Sequence, residues 1–522
     1  MFNLTALRTI ADVTRIQARE RPDQTAQIFE DRSVSYAALD RYTSQVAQGL
    51  LGFGLPPQSR VGFLGKNSDR YFELLLGAIK ARLVVVGVNW RLAPPEISYV
   101  LNDAACAVLF VGAEYVGLVA QLQAACPNLH TVIVMDGAES NRPRFEAWRD
   151  AQSPRDPELT IPLDDDVLQL YTSGTTGHPK GVQLTHANYL CTFAAAQAAG
   201  WSDCQPGEVA LICMPVFHVA GTNMGLVTLA QGGTSVIMKE VDPLRILEFI
   251  PRYRVNLLFL VPAAILFMLQ HPAATSTDFS SVRRLSYGAS PIAEALLLKA
   301  KALLQCEFIQ LYGLTETTGA GAYLPDAAHD PARGKLRACG VPYPGINIQI
   351  VDEHGTALPA GDVGEIAIQS GVVMKGYWNK PEATTKAIVN QWFYTGDAGY
   401  FDTDGYLYIH DRVKDMIVSG GENIYPAEVE NALFGHPAVA DVAVIGVPDD
   451  QWGEAVKAVI VLKPEALATP DELIEFARSR IAGFKLPKSV DFATALPRNP
   501  SGKVLRRELR EPFWVGIQRR VN

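Results

Sequence analysis

From Thr25 onward, short β-branched runs alternate with segments of helical period, and this alternation restricts the fold more than any other feature of the chain. Residues 33–36 predict a strand, after which Leu39, Tyr42, Val46 and Leu50 recur at helical spacing until Gly52–Gly54 stops them. Residues 60–64 predict a strand, 71–81 a helix with Leu74, Leu75 and Ile79 inward, and 83–88 another strand. Pro94-Pro95 opens a further helix ahead of a strand at 107–111. Strands separated by helices pair in parallel, which predicts a doubly wound sheet. A second α/β half follows, with strands at 235–238, 256–261 and 285–287 and helices near 245–252 and 292–303. Two such halves side by side leave a cleft at the C-terminal strand ends, where α/β proteins bind ligands.

The texture changes at Gly340. Segments 346–351, 364–369 and 406–409 alternate in period two, with turns such as Asp402-Thr403-Asp404-Gly405 between them, and predict a small β-barrel. A short polar joint, Asp411-Arg412-Val413-Lys414-Asp415, leads into a final unit of about a hundred residues, an ordinary domain size. It is expected to hold helices at 427–434 and 471–481 and strands at 440–446, 455–462 and 490–492. At 522 residues the chain is too long for one core. The expected fold class is α/β. A large N-terminal domain, 1–411, comprises two doubly wound subdomains and the barrel, and a smaller α+β domain spans 412–522.

The chemistry concentrates at 167–182, where the apolar run from Val167 to Tyr171 ends abruptly in Thr172-Ser173-Gly174-Thr175-Thr176-Gly177-His178-Pro179-Lys180-Gly181. Three glycines let the backbone curl so that several N–H groups point inward as an anion-binding nest. The clustered hydroxyls and the Lys180 cation complete what a triphosphate needs. The order is not that of a Walker A loop, because Pro179 precedes Lys180 and Gly181 follows it. Downstream, Gln310-Leu311-Tyr312-Gly313-Leu314-Thr315-Glu316 follows a predicted strand. Tyr312 offers a flat face for a purine, Thr315 a hydroxyl for a phosphate, and Glu316 a hard oxygen ligand for Mg²⁺.

The segment 171–182 resembles the phosphate-loop signature of the adenylate-forming superfamily, which includes acyl-CoA synthetases, luciferases and peptide-synthetase adenylation domains. Further motifs match in the family's order over nearly the whole chain, in the pattern of bacterial fatty-acyl-CoA synthetases. The resemblance implies ATP, Mg²⁺ and coenzyme A as cofactors and a small-molecule carboxylic acid as substrate. Gly288-Ala289 is similar to the adenine-pocket loop. Asp397 in Tyr394-Thr395-Gly396-Asp397, read as a tight turn, and Arg412 resemble the pair that reaches the ribose. His218 resembles the family's Phe-His position beside the reacting carboxylate, and the alternative for a histidine in so apolar a setting is a core role. Small residues (Ala195, Ala220, Gly221, Gly225, Gly288, Gly313), together with Val219, leave room for a long or wide acyl group or else mark close helix packing.

In the final unit, Lys503 resembles the family's late catalytic lysine, bridging carboxylate and α-phosphate. Gly420 and Gly421 resemble the loop flanking the pantetheine channel, and Trp452 and Lys485 are assigned to the CoA side. Lys414 falls at the family's hinge, which implies a mobile C-terminal domain presenting Lys503 for adenylation and Gly420-Gly421 for thioester formation. The implied activity is an ATP-dependent acid–thiol ligase for a medium- or long-chain fatty acid, with bulky or aryl acids next. Three alternatives are transfer to a carrier protein or an amine, a nucleotide-binding regulator or scaffold without turnover, and a luciferase-like oxygenase.

The bulk numbers exclude other classes. A formal charge of −9 argues against a nucleic-acid binder. Seven cysteines without C-x-x-C spacing predict reduced thiols of a cytoplasmic protein, not a disulfide framework or a zinc site. The N-terminus lacks a signal-peptide profile, and the longest apolar run, 257–269, is broken by Pro262 and shorter than the ~18 residues of a membrane span. The tail Pro512-Phe513-Trp514-Val515 beside Arg519-Arg520 is suited to packing on the last domain or to peripheral membrane contact. A homodimer is compatible with the sequence.

Overall fold

The structure is a computed structural model describing residues 6–137, 142–172, 179–412, 415–419, 422–449, 452–478, 480–498 and 502–515. Among these residues the strands form four sheets. The first has seven strands, and Asp166–Thr172, Val84–Val88, Arg60–Leu64, Val108–Val111 and, at the edge, Thr131–Val134 run parallel in that order. Arg60–Leu64 and Val84–Val88 are buried along their whole length, as a sheet covered on both faces requires. The helix after the first of them begins at Asp69, two residues before its expected start. Ser68 Oγ accepts the Tyr71 N–H there, and Asp69 complements the positive helix end.

The second sheet has nine strands. Its parallel core is Thr234–Ile237, Val209–Ile212, Leu257–Leu260, Arg284–Gly288 and Glu307–Tyr312. The hairpin Thr25–Phe29/Arg32–Ser35 reaches this sheet rather than the first, pairing in parallel with Thr234–Ile237. The helix Val219–Gln231 covers one face and stops at Gly232, whose φ of +82° forms a left-handed cap.

The expected barrel is a curled antiparallel sheet of five strands, Asn347–Val351, Gly364–Gln369, Ile388–Val389, Trp392–Phe401 and Leu407–Arg412. Tyr394–Asp397 is not a tight turn. It lies inside the ten-residue strand Trp392–Phe401, where Gly396 takes φ +71° and the pairing with Gly364–Gln369 slips by a bulge. Thr-Gly-Asp suits a bulge as well as a turn, because both need a residue free to enter positive φ.

The last sheet joins Glu422–Ile424, Ile417–Ser419, Gly453–Leu462 and Val439–Asp449 in antiparallel order, with Ser489–Phe492 added in parallel. The helices Pro426–Phe434 and Pro470–Arg478 close over it. Ile417, Val429, Val444, Ile460 and Leu473 form a core cluster separate from those of residues 7–407. Phe434 also packs against the core of the second sheet. The C-terminal tail packs on this unit, since Trp514 Nε1 donates to the Gly446 carbonyl at 3.0 Å and the Lys457 ammonium lies 5.1 Å from the Phe513 ring centre.

Candidate active site

The described residues on either side of the expected phosphate loop are two paired strands. Asp166–Thr172 pairs antiparallel with Lys180–Thr185, and Thr172 stands opposite Lys180. Ser173, Gly174, Thr175, Thr176 and Gly177 lie outside the described residues. Glu316 arrives from the second sheet on the single turn Thr315–Thr317, just beyond the strand Glu307–Tyr312. Thr172 Oγ1 lies 3.4 Å from Glu316 Oε1, and the Tyr377 hydroxyl donates to the same oxygen at 2.9 Å. The Lys180 ammonium sits 4.8 Å from the centre of the Tyr377 ring. Thr172, Lys180 and Glu316, from two sheets, thus meet at one set of strand ends. Tyr377 was not among the expected site residues. Its only sequence signal is the Gly376-Tyr377-Trp378 triplet, and its strand is two residues long, too short for any period to register.

A second polar pair stands beyond this cluster. The Tyr312 hydroxyl donates to Asp397 Oδ2 at 2.9 Å, with both residues buried. The bulge is held by its own hydrogen bonds. Gly396 N–H donates to Glu365 Oε1 at 2.8 Å, and Asp397 N–H to Thr395 Oγ1 at 3.1 Å. Burial, and secondarily the Asp397 charge, raise the Glu365 carboxyl above its ordinary value. The backbone of Arg412 pairs with Asp397; its side chain lies outside the described residues.

Gly288 ends its strand where a Cβ would stand 2.2 Å from the Leu311 carbonyl oxygen, and a Cβ on Gly313 would stand 2.4 Å from that of Gly319. Only glycine permits these backbone approaches, which bring the chain around Tyr312 and Thr315 close to the neighbouring strand end. Ala289 follows at φ +68°, a costly conformation for a residue with a side chain.

His218 immediately precedes the helix Val219–Gln231, beside Phe217 at 4.7 Å between ring centres. Its Nε2 is buried and has no hydrogen-bond partner among the described residues. Burial, helped by the Arg91 charge, pushes the imidazole down to about 4, so it is neutral at physiological pH. Val219 and Ala220 are partly exposed beside it. Other small residues have packing roles. A Cβ on Gly221 would lie 2.4 Å from the carbonyl oxygens of Met214 and Pro215, one on Gly225 would lie 2.2 Å from the Phe72 ring, and Ala195 is buried in the main core.

From the last unit, the loop carrying Lys503 reaches the end of Leu257–Leu260, where a Cβ on Gly502 would touch Val261 at 3.1 Å and Ala263 at 3.4 Å. Arg498 braces that loop, donating to the Gly502 carbonyl and to Asp441, each at 2.6 Å. Trp452 is exposed to solvent, with the Lys488 ammonium 5.8 Å from its ring centre. Lys485 donates to both carboxylate oxygens of Glu428 at 2.8 Å. Gly420, Gly421 and Lys414 lie outside the described residues.

The family described as AMP-binding enzyme matches residues 14–378, and the AMP-binding enzyme C-terminal domain matches 428–503. The chain is 41% identical over 519 residues to a fatty acid–[acyl-carrier-protein] ligase of Streptomyces coeruleorubidus, covering 99% of this chain and 98% of that one. It is 37% identical over 512 residues to a long-chain-fatty-acid–CoA ligase of Mycobacterium tuberculosis, covering 98% of each. An anthranilate CoA ligase structure in complex with anthranoyl-AMP superposes with a TM-score of 0.91 at 26% identity, covering 99% of both chains. With matches of this length at both ends, on a fold whose strand ends gather Thr172, Lys180 and Glu316, the chain belongs to the AMP-binding enzymes of the adenylate-forming superfamily.

Proposed function

We infer that this protein is an AMP-forming acid–CoA ligase. It adenylates a carboxylic acid with ATP, releases pyrophosphate, and transfers the acyl group to coenzyme A with release of AMP. The observation that carries this reading is the meeting of Thr172, Lys180 and Glu316 at strand ends of both large sheets, with the Lys503 loop against the end of Leu257–Leu260 in the second. A carboxylate attacking an α-phosphate must overcome repulsion between two anions. Lys180 and Lys503 oppose that charge where it peaks, and the loop after Thr172 orients the leaving pyrophosphate. The Tyr312 hydroxyl holds Asp397 ready to accept the ribose hydroxyls. His218, neutral and with a free ring nitrogen, stands between the nucleotide and the acyl group as a polar partner that adds no charge.

Glu316 suits Mg²⁺. It is a carboxylate fixed by two hydroxyls beside the expected phosphates, and Mg²⁺ typically takes one or two carboxylates plus substrate oxygens. No group of three or more candidate ligands stands among the described residues, which accords with such sharing. The ion supplies further neutralisation of phosphate charge.

The final unit, from 412 onward, acts as a rotating lid about Lys414. It presents Lys503 for adenylation and the Gly420-Gly421 face, with Trp452 and Lys485, for thioester formation. Its separate core supports this division. The acid is a fatty or aryl acid, the range spanned by the relatives' names. The name of the Streptomyces coeruleorubidus relative favours a carrier protein as the second candidate acceptor. We propose the cytoplasm as the compartment, supported by seven free thiols. No described helix is long and apolar enough to cross a membrane.

Pyrophosphate release with a panel of acids tests the activity, and omission of CoA separates the two half-reactions. Lys503→Ala is expected to slow adenylation from ATP on the order of a hundredfold while sparing thioester formation from supplied acyl-AMP. Equal losses in both steps would refute the two-face scheme.

A further inference from the structure

Lys180 and Glu316 carry opposite charges at neighbouring strand ends and are both half-buried, yet among the described residues no ion pair joins them. Attraction between unit charges strengthens as water is excluded, so closure of the lysine on the glutamate is the natural resting state for two such side chains. That closure would leave neither charge for a phosphate or a metal. Among the described residues the Lys180 ammonium has no hydrogen-bond or ion-pair partner, and what it meets is the ring of Tyr377.

The sheet explains the contact. Along Lys180–Thr185, Lys180 and Val182 share a face. Tyr377 pairs with Val182 across the ladder and stands diagonal to Lys180, a separation that long and aromatic side chains span. The ammonium accordingly lies 4.8 Å from the ring centre. A ring face attracts a cation through its quadrupole without cancelling the charge. The hydroxyl at the tip of the same ring donates to Glu316 Oε1 at 2.9 Å, and Thr172 Oγ1 lies 3.4 Å from that oxygen. Both hydroxyls thus fall on one carboxylate oxygen and neither on Oε2.

The tyrosine is fixed by contacts that involve neither charge. Its N–H donates to Thr384 Oγ1 at 2.9 Å, and the Trp378 N–H donates to the Gly181 carbonyl at 2.7 Å. Trp378 is anchored in turn, with Nε1 donating to the Asp103 carbonyl at 2.9 Å and the Arg60 guanidinium 3.4 Å from its ring centre. The phenol therefore hangs from the strand that begins with Lys180, and its place does not depend on where the lysine or the glutamate goes.

Resting on the acid-ligase reading above, we propose that Tyr377 is a positioning residue that keeps Lys180 from closing on Glu316. The ammonium then stays open to the phosphates of a nucleoside triphosphate, and Oε2 to its metal. Calorimetric titration of the whole protein with ATP in excess EDTA, with no acid present, reads this without turnover. Tyr377→Phe keeps the ring and frees the carboxylate, and is expected to weaken ATP binding about tenfold, the worth of one hydrogen bond to a charged group. With Glu316→Gln already in place, no carboxylate remains to pair with Lys180, and Tyr377→Phe is expected to change the affinity by less than about twofold. A residue that only stabilises the fold would cost the same on both backgrounds. Equal losses on the two backgrounds, no loss beside the natural glutamate, or no ATP binding by the unaltered protein in EDTA would overturn the proposal while leaving the ligase reading intact. Absence of ATP binding in Mg²⁺ as well would overturn both.

Discussion

Two fully buried histidines and one half-buried one make the fold sensitive to acid, while the buried Glu73 carboxyl, pushed up to about 7, acts in the opposite sense. Burial pushes His186, His218 and His329 down to about 4. Two of them are wired as neutral rings. His186 Nδ1 accepts the Ile10 N–H at 3.0 Å, and His329 bridges the Pro325 carbonyl and the Tyr287 hydroxyl at 3.0 Å each. In the unfolded chain they bind protons near pH 6.5, whereas the folded protein resists until about pH 4. The unfolded state therefore holds more protons in that window, so stability is full above it and falls as pH drops through it. At about pH 5, His186 and His329 each withdraw about 2 kcal/mol. Urea unfolding midpoints are expected to drop between about pH 7 and about pH 5, and His329→Gln to flatten part of that slope. At this scale Lys180, Glu316 and Asp397 stood out in the sequence as candidates, because loops rich in glycine and charge carry local signatures, and the structure brings Lys180 and Glu316 around Tyr377. Tyr377 did not, because an isolated tyrosine acquires its place only from what folds against it.

At the scale of elements, packing decides where glycine is required. Gly225 of the helix Val219–Gln231 faces the fully buried Phe72 ring, with no room for a methyl group. Gly225→Ala is expected to cost about 1–3 kcal/mol by overpacking, read as a lower melting temperature, while the nucleotide residues keep their places. Periodicity located Arg60–Leu64, Val84–Val88, Val108–Val111, Thr234–Ile237, Leu257–Leu260 and Arg284–Gly288 to within a residue or two, since a strand buried on both faces writes a continuous apolar run, but it did not find the parallel strands Thr131–Val134 and Val209–Ile212. Thr131–Val134 and Val209–Ile212 are apolar but only four residues long, too short to stand out, and two other misses have a different cause. Lys180–Thr185 and Trp392–Phe401 mix apolar with polar residues and carry turn-like Gly, Thr and Asp, so their pairing depends on partners distant in sequence. The strand expected at 33–36 pairs as a hairpin with Thr25–Phe29, which the sequence did not announce, and the hairpin joins the second sheet through Thr234–Ile237, a partner distant in sequence.

At the scale of the whole molecule, the last unit stands with the Lys503 loop against the ends of the second sheet, braced by Arg498 to Asp441 and the Gly502 carbonyl. Arg498 is a positioning residue. Arg498→Ala is expected to lower the adenylation rate by on the order of a hundredfold, the effect of a misplaced catalytic group, and to leave thioester formation from supplied acyl-AMP little changed. A loss shared equally by both steps would mean that the arginine only stabilises the unit. By itself, the sequence determined the α/β architecture, the order of the motifs and the residue types of the candidate site, because period and backbone freedom are local properties of the chain. Only the tertiary structure decided which strand ends face one another and which small residues pack against backbone and rings instead of lining a pocket. Those outcomes follow from the meeting of side chains far apart in sequence, and no local pattern records them.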